Sequence, residues 1–321
     1  MPVRGSMRSR GAAAVSTLTL RQLSAVLPPE RAWGLWASRK IVARLMDSFG
    51  PSLSGTRVEP VDLRMADGRR VVGEWVRGPE VATGTQAVYF LHGSGFALCS
   101  PRTHRRLTAW LSRLTGLPVF CVDYRLAPEH RFPTAAVDVR SGWDWLCTER
   151  GLSPDRIFVA GDSAGGQLAV DLLLQPDVVH PAGMALFSPL VDLTFALSRA
   201  REELRRDPAI RSADAARLVK LYCAGTDVNH PRLTLDVAAG RAMPPTLIQA
   251  GGGEMLLADA RKLAADITKA GGDCELQVWP DQVHVFQALP RLTPEAAPAM
   301  RRVATFIADM LHRSSTHEAA S

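Results

Sequence analysis

An α/β architecture, a mostly parallel central sheet flanked by helices, is what this sequence predicts, and three observations predict it. Six short runs, at 87–92, 117–124, 156–163, 183–190, 245–252 and 274–280, are almost continuously apolar, as strands buried on both faces are. Helix-length segments separate most of them, which is the alternation of a parallel sheet with crossover helices. The composition, 46% hydrophobic and 22% charged over 321 residues, is that of a globular chain and excludes disordered, collagenous and disulfide-dense classes. A single core stops growing near ~250–300 residues, so one domain with an appendage is expected.

Along the chain, residues 1–20 are basic and small, without periodicity, and read as frayed. Residues 21–49 turn helical around a Pro28-Pro29 break, with Trp33, Leu35, Trp36, Ile41, Val42 and Leu45 on a broad apolar face. Residues 57–77 alternate about Asp67-Gly68, a hairpin signal. The six strand runs follow. Residues 192–236 break the rhythm: 45 residues with helical charge patterning between two strands form a cap insertion, not a simple crossover. The expected division is therefore a helical segment at 1–56, a core of 57–191 and 237–321, and the insertion at 192–236.

Charge and cysteines narrow the classes further. Thirty-eight Lys and Arg against 32 Asp and Glu give a formal charge of +6, with no block of like charge, so no nucleic-acid partner is expected. Cys99, Cys121, Cys147, Cys223 and Cys274 are odd in number and lack CxxC spacing, pointing to reduced thiols and a cytoplasmic setting. Neither a metal-ligand pattern nor a cofactor motif occurs, and no apolar run reaches the ~20 residues of a membrane span. Arg4, Arg8 and Arg10 precede an apolar stretch, but Arg21 and Gln22 interrupt it and no small-residue cleavage site follows, unlike a secretory leader.

Two local motifs carry chemistry. Gly161-Asp162-Ser163-Ala164-Gly165 lies between a strand and a helix, the context of a nucleophile elbow. The turn is sharp, the flanking glycines leave room for neighbouring backbone, and Ser163 is lifted at the carboxyl end of the sheet. The helix that follows aims free N–H groups at that point, and the Ala164 amide is one expected oxyanion donor. Directly after the first core strand comes His92-Gly93-Ser94-Gly95-Phe96. A glycine-rich loop there presents amides to a substrate oxygen; Gly93 and Ser94 are assigned as donors, with Gly95 in reserve and His92 as a brace, not a base.

These motifs, with Asp123-Tyr124-Arg125-Leu126-Ala127-Pro128-Glu129-His130 and Arg131-Phe132-Pro133, resemble the hormone-sensitive-lipase branch of the α/β-hydrolase fold. They occur in that family's order, and the resemblance spans residues 57–313. Ser94 departs from it, standing where the family usually has a glycine; only a backbone amide is needed there. The resemblance implies a structural role for the 123–130 stretch and a cap, built by the N-terminal segment and the insertion, over Ser163.

A hydroxyl nucleophile needs an imidazole base oriented by a carboxylate, in the chain order serine, acid, histidine. His284, His312 and His317 lie late enough; the last two sit at the C-terminus, whereas His284 follows the 274–280 strand, where the family places its base. Glu254 stands at the family's acid position, with Asp259 and Asp281 as competing carboxylates. The implied reaction is two-step acyl transfer from short- to medium-chain esters, without cofactor. Trp33, Trp36, Phe195, Leu197, Leu221 and Tyr222 are candidates for an apolar substrate pocket, or for glue between cap and core. Longer-chain lipase, amidase or deacetylase action, acyl transfer to another alcohol, and ligand binding without catalysis are the alternatives. A small ester is the expected partner, with weak lipid-surface contact and a homodimer left open.

Overall fold

Asp67 and Gly68 close the first hairpin, with Gly68 at φ +87°, between β1 (Arg57–Arg64) and β2 (Arg70–Arg77). Six further strands follow in the computed structural model, which describes residues 4–227 and 229–318. They are β3 (Ala87–Leu91), β4 (Val119–Val122), β5 (Ile157–Asp162), β6 (Gly183–Phe187), β7 (Thr246–Gly251) and β8 (Cys274–Trp279), one within each apolar run. The sheet order is β1-β2-β4-β3-β5-β6-β7-β8; β2 meets both its neighbours antiparallel and every later pair is parallel.

Both faces of the central strands are buried, which is why their sequences lack alternation. Along β3, Val88 and Phe90 join one cluster while Tyr89 and Leu91 join the other. The first cluster lies under α4 (Pro101–Thr115) and α11 (Ala296–Glu318), through Leu107, Leu111, Phe306 and Ile307. The second lies under α5 (Thr134–Thr148), α6 (Ala164–Leu174) and α10 (Leu257–Lys269), through Trp143, Leu168 and Leu263. Ser100 caps α4 by a reciprocal bond with Thr103, and left-handed Gly116 ends it.

The N-terminus departs from expectation. Instead of fraying, it forms α1 (Met7–Leu18) and α2 (Leu20–Val26), and Pro28-Pro29 then separate these from α3 (Ala32–Phe49). Tertiary anchors replace the missing periodicity: Glu295 accepts from the Ser6 amide and the Ser9 hydroxyl, and Asp281 accepts from the Gly5 amide. The 192–236 insertion holds α7 (Ala196–Leu204), α8 (Ser212–Cys223) and the short α9 (Pro231–Thr234), between β6 and β7. Among the described residues no helix is long and apolar enough to cross a membrane.

Candidate active site

Ser163 joins β5 to α6 with φ 50° and ψ −118°, a strained conformation held from both sides. Its amide donates to the Phe187 carbonyl at 2.9 Å and its carbonyl accepts from Leu190 at 3.0 Å. The turn depends on Gly165: a Cβ there would sit 1.9 Å from the Leu91 carbonyl oxygen. Sequence spacing and backbone geometry thus meet at one serine, 7% exposed at the wall of a cavity.

The loop facing it corrects one expectation. The Gly93 amide donates to Asp162 Oδ1 at 3.0 Å, so it is not available to a substrate oxygen. A side chain at Gly93 would strike the same carboxylate, 2.3 Å from Oδ2. The amides of Ser94, Gly95 and Ala164 have no acceptor among the described residues, and Ser94 and Gly95 line the cavity with Ser163. Ser94, Gly95 and Phe96 all take positive φ, at 81°, 62° and 61°, which turns successive amides toward one side. Ser94 bears this strain where a glycine would not; its hydroxyl accepts from Cys99 Sγ at 2.9 Å.

Beneath the loop, His92 stacks on Tyr124 with centroids 4.1 Å apart, and the Tyr124 hydroxyl donates to the His92 carbonyl at 2.6 Å. Burial, together with nearby His104, pulls the His92 pKa down to about 3, so the ring is neutral and serves packing. His104 Nε2 reaches Asp162 at 3.2 Å. Ala127 donates to the Phe96 carbonyl at 3.0 Å, which ties the 123–130 stretch to the loop.

His284 also lines the cavity, 26% exposed, and its Nδ1 lies 2.6 Å from Glu254 Oε2. Burial would lower its pKa, but the Glu254 hydrogen bond and charge outweigh that and raise it above the ordinary 6.5. Glu254 is fully buried, and its Oε1 accepts from the Gly251 amide at 2.6 Å and the Ser188 hydroxyl at 2.7 Å. Ser188 in turn accepts from the Val285 amide at 3.1 Å, bracing the residue after the imidazole. Nothing in the sequence marked Ser188: it lies in no motif, and its partners are 66 and 97 residues away.

The competing carboxylates are placed elsewhere. Asp259 accepts from the Val191 and Asp192 amides and from Ser198, fixing the entry to the insertion; burial raises its pKa to about 6. Asp281 pairs at the surface with Arg205 at 2.9 Å and accepts from Gly5. A third acid, Asp207, accepts from Met255, the residue after Glu254, at 2.8 Å, and burial raises its pKa also. His312 is far along α11, and the side chain of His317 lies outside the described residues.

The cavity measures about 260 Å³ and is walled by α1–α3, α8 and the loops bearing Ser94 and His284. Of the six apolar candidates only Phe195 lines it. Trp33 and Trp36 are 57% and 62% exposed, because α3 turns Gly34 and Leu35 inward at that level. Leu197 lines a separate cavity with Leu233 and Leu263, and Leu221 packs half-buried against the core. Tyr222 is buried under Phe96, with rings 4.2 Å apart. The lining the sequence did not single out includes Leu98, Leu218, Val219, Val283 and Val285. Val283 and Val285 flank His284, a signal that was available; Leu218 and Val219 become visible only with the rotation of α8.

Known proteins resemble this chain in sequence and in fold. A family model described as alpha/beta hydrolase fold matches residues 88–288. The chain is 38% identical over 252 residues to the carboxylesterase/phospholipase LipF of Mycobacterium tuberculosis, across 75% of this chain and 67% of that protein. To the esterase LipU of the same organism it is 38% identical over 238 residues, across 70% of this chain and 79% of that one. A crystal structure of an esterase from the bacterial hormone-sensitive lipase family superposes with a TM-score of 0.82 at 29% identity, covering 95% of this chain and 99% of that one.

Proposed function

This chain belongs to the α/β-hydrolase fold family, in its hormone-sensitive-lipase branch, and is a carboxylic ester hydrolase; we propose that it cleaves short- to medium-chain esters through a Ser163–His284–Glu254 triad. The observation that carries this reading is the 2.6 Å bond between buried Glu254 and His284, in the wall of the cavity that Ser163 also lines. With Nδ1–H committed to Glu254, the imidazole keeps Nε2 unprotonated as the base. Ser163 gives its proton to Nε2 and attacks the ester carbonyl. The amides of Ser94, Gly95 and Ala164 take the oxyanion, each such donor contributing about 2.7–4 kcal/mol. His284 then protonates the leaving alcohol, and water repeats the sequence to release the acid.

Cavity size supports the chain length. At about 260 Å³, with a wall made mostly of apolar side chains, the cavity has room for a short or medium acyl chain. A specific observation favours longer chains as a second reading. An apolar annex of about 190 Å³ lies between α2, α3 and α8, and shares seven of its lining residues with the main cavity. We take α1–α3 and the 192–236 insertion as the cap, since both contribute to the cavity wall. The free state of all five cysteines supports a reducing, cytoplasmic setting.

The test is hydrolysis of p-nitrophenyl esters from acetate to palmitate, with Ser163→Ala alongside. Turnover on butyrate, and its near-complete loss in the variant, on the order of 10⁶ in kcat, is the expected result. A folded wild-type protein that turns over none of these esters, or a variant that keeps its rate, would overturn the triad. Turnover only with an added acceptor alcohol, or only on amides, would replace the hydrolase reading with a transferase or an amidase.

A further inference from the structure

The structure places two surpluses on one part of the surface. Residues 1–50 hold eight Lys and Arg against two Asp and Glu, which is the whole formal charge of +6; residues 51–321 hold 30 of each sign and sum to zero. The same segment carries the exposed apolar side chains. Of the eleven large ones at the surface among the described residues, seven lie between residues 7 and 36: Met7, Val15, Leu18, Leu23, Val26, Trp33 and Trp36.

On α3 the two properties share a single stripe. Trp33, Trp36, Lys40 and Arg44 are spaced i, i+3, i+7 and i+11, so they stand on one face, and all four are exposed. Among the described residues, no ion pair neutralises Arg31, Lys40 or Arg44, whereas Arg21 is paired with Glu202 and Arg39 faces Glu129. The opposite face of the helix is committed inward: Val42, Leu45 and Met46 line the cavity, as Ala12, Ser16 and Leu20 do from α1 and α2. Outward exposure of two tryptophans therefore does not come from a lack of apolar side chains to bury. An indole with a free basic neighbour is the pairing found where a helix lies in a lipid interface, apolar body in the acyl boundary and cation at the headgroups.

We propose that α1–α3 dock the enzyme on an anionic phospholipid surface, with Trp33 and Trp36 inserted at the headgroup level and Lys40 and Arg44 against lipid phosphates. A segment with six net charges gains from the negative surface potential, and the apolar side chains supply the contact that neutral lipid also offers. Docking in this pose sets the outer side of the cavity wall on the membrane. It stands independently of the triad, because none of these side chains touches Ser163 or His284.

The experiment is flotation of the full chain with phosphatidylcholine vesicles, with and without phosphatidylglycerol, at low and high salt. Binding to the anionic vesicles, weakened by salt, is expected. Lys40→Glu with Arg44→Glu, and separately Trp33→Ser with Trp36→Ser, should each bind roughly tenfold or more weakly. Hydrolysis of soluble p-nitrophenyl acetate should be unchanged in both pairs, which shows that they are folded, and Ser163→Ala should float like the parent. No flotation of the parent, or equal flotation of the charge and tryptophan variants, would overturn the proposal. So would a dimer in solution that the tryptophan pair converts to monomer, since the stripe would then belong to a subunit interface.

Discussion

Replacing Glu254 by glutamine separates the proposed acid from its competitors, and its effect follows from the hydrogen bonds. Two donors, the Gly251 amide at 2.6 Å and the Ser188 hydroxyl at 2.7 Å, hold Oε1, and only His284 meets Oε2. In Glu254→Gln the carbonyl oxygen stays with the two donors, so the amide nitrogen faces Nδ1. That forces the imidazole to accept there and to carry its proton on Nε2, the atom that must take the proton of Ser163. The analogous tautomer error in another triad costs about 10⁴ in kcat, or roughly 5 kcal/mol of barrier. The assay is kcat on p-nitrophenyl butyrate across pH, with Asp281→Asn and Asp259→Asn as comparisons. Because Glu254 raises the His284 pKa, the parent should lose activity as pH falls through a value above 6.5, where the base becomes protonated. The residual activity of Glu254→Gln should extend to lower pH. The reasoning is refuted if Asp281→Asn loses as much rate as Glu254→Gln, or if the acid limb stays in place.

Two further predictions concern stability and specificity. Burial raises Asp259 from 3.8 to about 6, so the native state binds its proton more tightly than the unfolded chain. This contribution is present below pH 4 and is lost as pH rises to 6, about 3 kcal/mol at 1.36 kcal/mol per unit. Asp259→Asn retains an acceptor for the Val191 and Asp192 amides, so urea midpoints should fall less between pH 4 and 6 than in the parent; parallel curves would rule the effect out. Ile41 lines the annex but not the main cavity, and Ile41→Trp should lower kcat/KM on p-nitrophenyl laurate severalfold while sparing butyrate. Equal loss on both esters would show that the annex does not receive the acyl chain.

What could be read from the sequence was local. The elbow is five consecutive residues whose backbone strain is written in their glycines, and the strands announce themselves because both faces are buried. Contacts made across the fold were not legible. A glycine-rich loop leaves the Gly93 amide free in the sequence, and only the fold brings Asp162, 69 residues on, to take it. Ser188 props Glu254 from a left-handed position with φ 50°, and no pattern announces that. The apolar character of Trp33 and Trp36 points inward, to a pocket or to the seam between cap and core. At the start of α3, however, a side chain at Gly34 would meet the Pro28 carbonyl at 2.2 Å, and this close approach fixes the rotation that sends both indoles out.

The charge shows the same limit from the other side. The sequence holds no run of like charge, because the basic residues occur throughout the chain. What changes is the density of acids: two in the first fifty residues, thirty in the rest. A helix does not need consecutive cations to present a basic face; it needs them on one rotation, with no carboxylates to answer them. Lys40 and Arg44 stand four residues apart on the stripe that Trp33 and Trp36 begin, and Asp47, the carboxylate on the same rotation, is taken by Arg106 at 3.6 Å. The residues that failed as pocket lining are therefore the ones whose exposure needs a partner, and the nearest unneutralised charges fix that partner's sign.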